Sequence, residues 1–394
     1  MVTSKPRSPL QQFLLIAGIL LIGINLRPAL SGVGPLIGAI RDSTGLSNTL
    51  LGLLTTLPLL AFAALSTLTP LFTKRFGIEE TLAGALLLLT SGILLRVLES
   101  PLALFGGTLL LGIAIAFGNV LLPSLVKRDF PHKTGLMTSF YSSAMAFGAM
   151  VAAGISVPLA FEVGLGWRWA LGAWALPAVI ALLVWLPQTR NTTLPKHSRS
   201  FLKAMKDLGG SRLAWQVALF MGLQSFAFYV VLAWLPEILV DRGLTAEYAG
   251  WMLSLSQGMG ILGSLIIPTW AEQMSDQRVA VWIVVIMELI SLVGLLLPGT
   301  FWVPLWVSLI GIALGGSFGL ALLFIVLRTE NSETSTELSG MSQSIGYALA
   351  ATGPTLFGAL HDFTGAWLVP LGLLFAVLLV KLFVGLGAAK PQKC

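Results

Sequence analysis

The chain has 394 residues, 56% of them hydrophobic and only 10% charged, where a soluble domain carries roughly 25% charged residues. So few charges exclude a water-facing globular surface, and apolar runs near or above the roughly 20 residues that span a bilayer recur along the whole length. The formal net charge of +6 does not point to nucleic acid, because the lysines and arginines lie in short loops with no basic stripe or aromatic interleaving; they read as topology signals.

Twelve transmembrane helices are expected, over 11–40, 47–73, 80–98, 102–126, 134–160, 167–187, 212–240, 247–272, 279–297, 302–327, 336–359 and 367–388. The first apolar run follows Lys5 and Arg7 and continues past Arg27 without a small-residue cleavage site, so it reads as a retained helix and not a signal peptide. An even number of helices puts both termini on one side. Lys5, Arg7, Lys74, Arg75, Lys127, Arg128, the basic stretch 188–212, Arg278, Arg328, Lys390 and Lys393 share that side, against Arg41, Arg96, Arg168 and Arg242 on the other. The positive-inside rule therefore predicts cytoplasmic termini in a bacterial-type inner membrane. The single cysteine, Cys394, excludes a disulfide within the chain.

In the first helix, "INLRPALSGVGPL" places Arg27 near the bilayer centre. A charge there costs about 2.5–3.5 kcal/mol on insertion scales unless it faces a polar cavity or a partner, and arginine cannot escape by losing its proton. The sequence favours a cavity role, with an anion or an electron-rich polar heterocycle as ligand; the competing reading is a structural arginine bonded to carbonyls or to a carboxylate on another helix. Pro28 removes a backbone donor and frees the Ile24 carbonyl, while Gly32, Gly34 and Pro35 loosen the outer half. Gly34 and Gly38 also fit a G-x-x-x-G packing face.

Asn119 and Pro123 lie in the fourth helix, in "FGNVLLPSLVKRDFP", with Lys127, Arg128 and Asp129 at its end. Asn119 needs a partner there, from a cavity or from a neighbouring helix. The seventh helix, in "LQSFAFYVVLAWLPEIL", carries Gln224, Phe228 and Tyr229, rings and polar groups that suit a small-molecule pocket, and Trp234 and Glu237, which fit a belt and a loop contact equally well. Gln343 and Tyr347 share one face of the eleventh helix at i, i+4. "GMGILG" at Gly258–Gly263 matches a dinucleotide fingerprint in letters only, since no strand precedes it; helix packing explains it. No Walker A, H-E-x-x-H or cysteine–histidine cluster occurs, so neither cofactor nor metal is expected.

The chain also repeats itself. "GLSNTLLG" at Gly45 returns as "GLTAEYAG" at Gly243, and "GIAIAFG" at Gly112 as "GIALGGSFG" at Gly311. "GWRWALGAWALP" from Gly166 and "GAWLVPLGLLF" from Gly365 likewise open the sixth and twelfth helices. Three matches at nearly one offset, each at the same place in the helix order, predict two parallel six-helix halves. The expected division is 1–187, a cytoplasmic linker 188–211, and 212–394, with Ser47 and Thr245 as N-caps of the second and eighth helices.

Together, "NLRPALSGVGPL", "GNVLLPSLVKRDFP", "AWLPEILVDRGL" and "LSGMSQSIGYALAATGPTLFGALHDFTGAW" resemble the cyanate permease and nitroimidazole transporter family of the major facilitator superfamily, over nearly the whole chain. The resemblance implies two bundles rocking about a midplane cavity lined by helices one, four, seven and ten, which places Arg27, Asn119 and the seventh-helix aromatics on cavity helices. It also implies that the ninth helix is outer support, so Glu288, the carboxylate inside "VWIVVIMELISLVG", is a candidate proton carrier but fits better as a protonated or locally paired residue. Between helices two and three, "PLFTKRFGIEE" keeps Lys74, Arg75 and Gly77 of the superfamily's gate motif but lacks its acid; "EQMSDQR" in the second half keeps Asp276 and Arg278. Together with Asp129, these are the gate candidates. The resulting expectation is a monomeric secondary or facilitative transporter of a small polar or anionic solute, bathed in lipid, with proton coupling open and no nucleic-acid partner. Multidrug export by proton antiport is the alternative; nothing in the sequence supports an enzyme or a sensor.

Overall fold

A computed structural model describes residues 9–130, 134–191, 208–297, 299–330 and 332–393. It is all-helical, without a strand among the described residues. We number the helices α1 (Pro9–Thr44), α2 (48–76), α3 (78–95), α4 (Pro101–Asp129), α5 (Thr134–Phe161), α6 (Gly166–Arg190), α7 (Arg212–Asp241), α8 (Ala246–Glu272), α9 (Arg278–Leu296), α10 (Val303–Leu327), α11 (Ser332–Thr364) and α12 (Leu368–Ala388). Eleven of them are long and apolar enough to cross a membrane. The remaining one, α11, has 33 residues, ample at 1.5 Å per residue, but its run of Ser, Gln, Thr and Gly makes it the most polar.

Two expectations about continuity are corrected. The first helix is not one rod over 11–40: regular helix ends at Asn25, a single turn runs from Pro28 to Ser31, Gly34–Leu36 is 3-10, and α-helix resumes at Ile37. Pro28 cannot donate to the preceding turn, and the Gly-x-Gly-Pro sequence behind it prevents immediate recovery. The second and third helices are not separated by a loop either. Helical geometry persists from Asn48 to Leu95 except at Gly77, whose φ of 77° and ψ of 174° reverse the chain in one residue; a side chain would be strained there.

The repeat is visible in local structure. Ser47 Oγ accepts from the Leu50 N–H at 3.3 Å, and Thr245 Oγ1 from the Tyr248 N–H at 3.2 Å, so α2 and α8 start with the same cap. Helix contacts follow the same relation. α2 packs on α11 and α5 on α8, which are equivalent pairs if the first six helices exchange with the last six, while α1 meets α7 between them. The GMGILG stretch is a packing face: a Cβ on Gly263 would strike the Ile312 carbonyl of α10. Of the eleven apolar helices α7 is the most enclosed, with 89% of its apolar window buried against 39% for α8 and α12, which places it centrally.

Candidate solute-binding site

The break in α1 positions Arg27. Asn25, just before it, is spent on structure, its amide donating to the Leu21 carbonyl at 2.8 Å and to the Pro177 carbonyl at 3.1 Å. Arg27 is only half-buried, and its guanidinium crosses to α7, where Nη1 donates to the Tyr229 hydroxyl at 2.6 Å. Its Cζ lies 5.9 Å from the ring centroids of both Phe228 and Tyr229. Those rings meet edge to face at 5.1 Å, the arrangement their quadrupoles favour. The hydroxyl of Tyr347, from α11, also faces Arg27, and its ring is held edge-on by Phe62 of α2 at 5.4 Å. Every one of these partners is neutral: Arg27 forms no ion pair among the described residues. A cation paired only with hydroxyls and π-faces keeps the capacity to accept an anion or the negative end of a dipole.

Of the other residues singled out in the sequence, Asn119 lies on α4 beside the break, because Gly118 abuts the Leu26 side chain. Its Nδ2 is buried with no protein acceptor. Gln343 sits half-buried one turn before Tyr347, its amide donating to Ser339 at 3.0 Å. Gln224 is not brought to this cluster: it is buried, and its amide donates to Ser225 Oγ at 2.7 Å on its own helix. Tyr141 of α5, buried on the same side of the first half, where a Cβ on Gly23 of α1 would lie 3.0 Å from its carbonyl, is a neighbour that sequence reasoning missed. Its helix had shown an apolar pattern with no charge to draw attention.

Glu288 stands apart, in the second half. It is fully buried and receives Lys381 Nζ of α12 at 2.6 and 2.7 Å, while Ser317 Oγ of α10 donates at 3.0 Å. Lys381 was the unread signal: a lone lysine in "LLVKLFVG", 93 residues away.

On the side of the termini, the acid absent before Gly77 is supplied after it. Glu79 accepts from Arg128 Nη2 at 2.6 Å, and Asp129 accepts from Arg128 Nη2 at 2.8 Å and Nε at 3.2 Å. Arg75 is exposed over the Phe76 ring, 5.2 Å from its centroid; the Lys74 side chain lies outside the described residues. In the second half, Asp276 and Arg278 pair at 3.5 Å at the surface, and the inner position is taken by Arg328, which donates to Gln277 and to the Ala388 and Ala389 carbonyls at 2.9 Å. At the opposite end the halves are clasped together. Arg41 meets Glu237 at 2.5 Å, and the Asp362 carboxylate of α11 accepts from the Asn48 and Thr49 N–H groups at 3.1 and 2.7 Å, capping the N-terminus of α2. Glu237 is therefore a contact between halves. Gly34 joins the same seam, where a Cβ would come within 2.5 Å of the Leu232 carbonyl, and Gly38 faces Glu237, so both glycines pack α1 on α7, and Gly34 also lies in its break.

A sequence profile of the Major Facilitator Superfamily matches residues 14–354. The chain is 44% identical to the protein named uncharacterized transporter YycB of Bacillus subtilis, across 97% of this chain and 95% of that one. Identity to the 2-nitroimidazole transporter of Escherichia coli is 41% over the full length of both, and to the cyanate transport protein CynX of the same species 29%, over 89% and 91%. Among solved structures, the inward-open xylose transporter XylE of E. coli superposes with a TM-score of 0.75 at 15% identity, over 95% of each chain, a likeness of fold alone. With its helices, its repeat and a matching profile over most of its length, the chain belongs to the Major Facilitator Superfamily and is a multi-pass membrane transporter of small solutes.

Proposed function

We propose that the solute is a small planar anion or a polar heterocycle of the nitroimidazole kind, its electron density on the nitro oxygens, bound between α1, α4, α7 and α11 and carried across the inner membrane by alternating access. The observation that carries this reading is the Arg27–Tyr229 contact: a cation with neutral partners, held at a break in α1, in direct contact with the other half of the chain. A nitro group or a carboxylate-like anion presents two oxygens to the guanidinium fork, and Phe228, Tyr229 and Tyr347 offer faces and edges to a flat ring. Asn119 contributes a donor from α4. The full-length likeness to a protein named for 2-nitroimidazole supports the heterocycle ahead of cyanate.

In this reading the halves 1–187 and 212–394, joined by 188–211, are the rocking units, with cytoplasmic termini. The clasp of Arg41, Glu237 and Asp362 closes the outer end, and the Glu79–Arg128–Asp129 group braces the inner end of the first half. Each state is weighted by how well it binds solute. The test is counterflow of radiolabelled 2-nitroimidazole and of cyanate in proteoliposomes. A hydrogen bond to a charged group is worth about 1.5–3 kcal/mol, so Arg27→Ala lowers solute affinity roughly 10- to 150-fold while the protein remains inserted and monodisperse. Transport at the wild-type rate by that variant overturns the assignment of Arg27.

A further inference from the structure

Arg27 and Lys381 are not the only cations enclosed by this fold. Arg96, where α3 ends, is 2% exposed. Its aliphatic stem lies against Gly107 of α4, where an added Cβ would come within 2.8 Å of Arg96 Cγ. Nη1 donates to the Ala29 carbonyl at 2.9 Å, inside the broken stretch of α1. Nε and Nη2 are buried and have no protein acceptor, and Arg96 forms no ion pair among the described residues.

These two unsatisfied donors share one edge of the guanidinium. That edge takes a carboxylate-type oxyanion side-on, through two parallel hydrogen bonds. Arginine cannot shed its proton, so burying it demands a partner that supplies charge as well as acceptor atoms. Water supplies only the second.

We propose that Arg96 anchors a binding site for a small planar oxyanion of the carboxylate class, lying among the first-half helices and separate from Arg27. A cavity of about 190 Å³ lies at the end of the same helix, its wall including Leu98, Ser100, Leu104, Ser43 and Arg168 but not Arg96 itself. Arg168 brings a second positive charge, stacked on Trp167 at 4.3 Å, and its Nε also lacks a protein acceptor. Glu99 on the same wall disfavours large polyanions, which leaves small monovalent ones. A bound oxyanion joins α3 to the Ala29 turn of α1 and so stiffens the segment that carries Arg27.

Formate, the smallest carboxylate, is the probe. Purified full-length protein is titrated with sodium formate at constant sodium and ionic strength, balanced with methanesulfonate, and its melting temperature is followed. The expected result is a saturable rise in wild type, kept in Arg27→Ala and lost in the Arg27→Ala/Arg96→Lys double variant, since Arg27 itself can take a carboxylate; Arg96→Lys preserves the charge but not the two-donor edge. A response in the double variant equal to that of Arg27→Ala, a response already lost in Arg27→Ala, or no saturable response in wild type each overturns the proposal. Should the double variant fail to fold, a wild-type structure determined in formate decides. Planar density on the Nε/Nη2 edge sustains the site; a protein oxygen on that edge removes it. Because the readout is binding and Arg27→Ala is included, this result stands or falls independently of the solute assigned to Arg27.

Discussion

Arg27 and Lys381 are both cations inside apolar helices, yet the protein satisfies them in opposite ways. Lys381 is fully buried, meets both oxygens of Glu288 and a serine hydroxyl, and has all its partners within the second half. Arg27 is half-buried, meets only neutral groups, and reaches across from the first half to the second. A charge neutralised by a permanent partner has nothing left to offer a solute; one held by hydroxyls and rings does. The presence of a permanent counter-charge, and not the mere presence of an intramembrane charge, separates a fastening from a site.

The largest effect that tests this contrast comes from the buried pair. Removing one member leaves an uncompensated charge in an apolar interior, so Lys381→Met destabilises the protein by about 3–5 kcal/mol, read as a sharp loss of monodisperse protein and a lower melting temperature. Adding Glu288→Gln to that variant restores most of the stability, because the pair is replaced by neutral groups of similar volume. If the double variant is stable but loses a pH-driven component of transport, Glu288 carries protons and the contrast fails.

The hydropathy of the spans was legible because a bilayer leaves few alternatives to a long apolar helix. The shared caps at Ser47 and Thr245 could be read because a capping hydroxyl acts within three residues. Partnerships across the chain could not. Nothing local to "LLVKLFVG" tells that Lys381 faces Glu288, and nothing in "SFAFYV" tells that Tyr229, and not Gln224, turns toward Arg27. Gln224 looked suited to a pocket because an amide inside a membrane needs partners, but a neighbouring serine already satisfies it. The break in α1 was half visible. Pro28 and the glycines announced a weakness, whereas its full extent, through a 3-10 turn to Ile37, follows from the close seat of Gly34 against α7.

A middle-sized effect sharpens the Arg27 side. Tyr229→Phe keeps the ring that the guanidinium lies beside and removes only the hydroxyl that fixes Nη1 at 2.6 Å. Loss of that orienting bond weakens solute binding by about 1.4 kcal/mol, or tenfold, visible as a shifted dissociation constant with an almost unchanged melting temperature. A large fall in stability instead makes the contact a fastening of the Lys381 kind.

The smallest effect concerns the two arginines at the ends of α4 and α10. Arg128 pairs with the acids Glu79 and Asp129, whereas Arg328, at the equivalent place in the second half, uses the amide of Gln277 and two carbonyls at the end of α12. Glu79→Gln gives the first half the amide that the second already uses. Because Arg128 is partly exposed and keeps Asp129, the cost is about 0.5–1 kcal/mol. The difference from wild type narrows as sodium chloride rises, since the Arg128 side chain is partly open to screening ions although Glu79 is buried. A cost that is several times larger and indifferent to salt places Glu79 and Arg128 with Glu288 and Lys381 as a sealed pair, and the inner brace of the first half is then permanent, unable to yield as the halves rock.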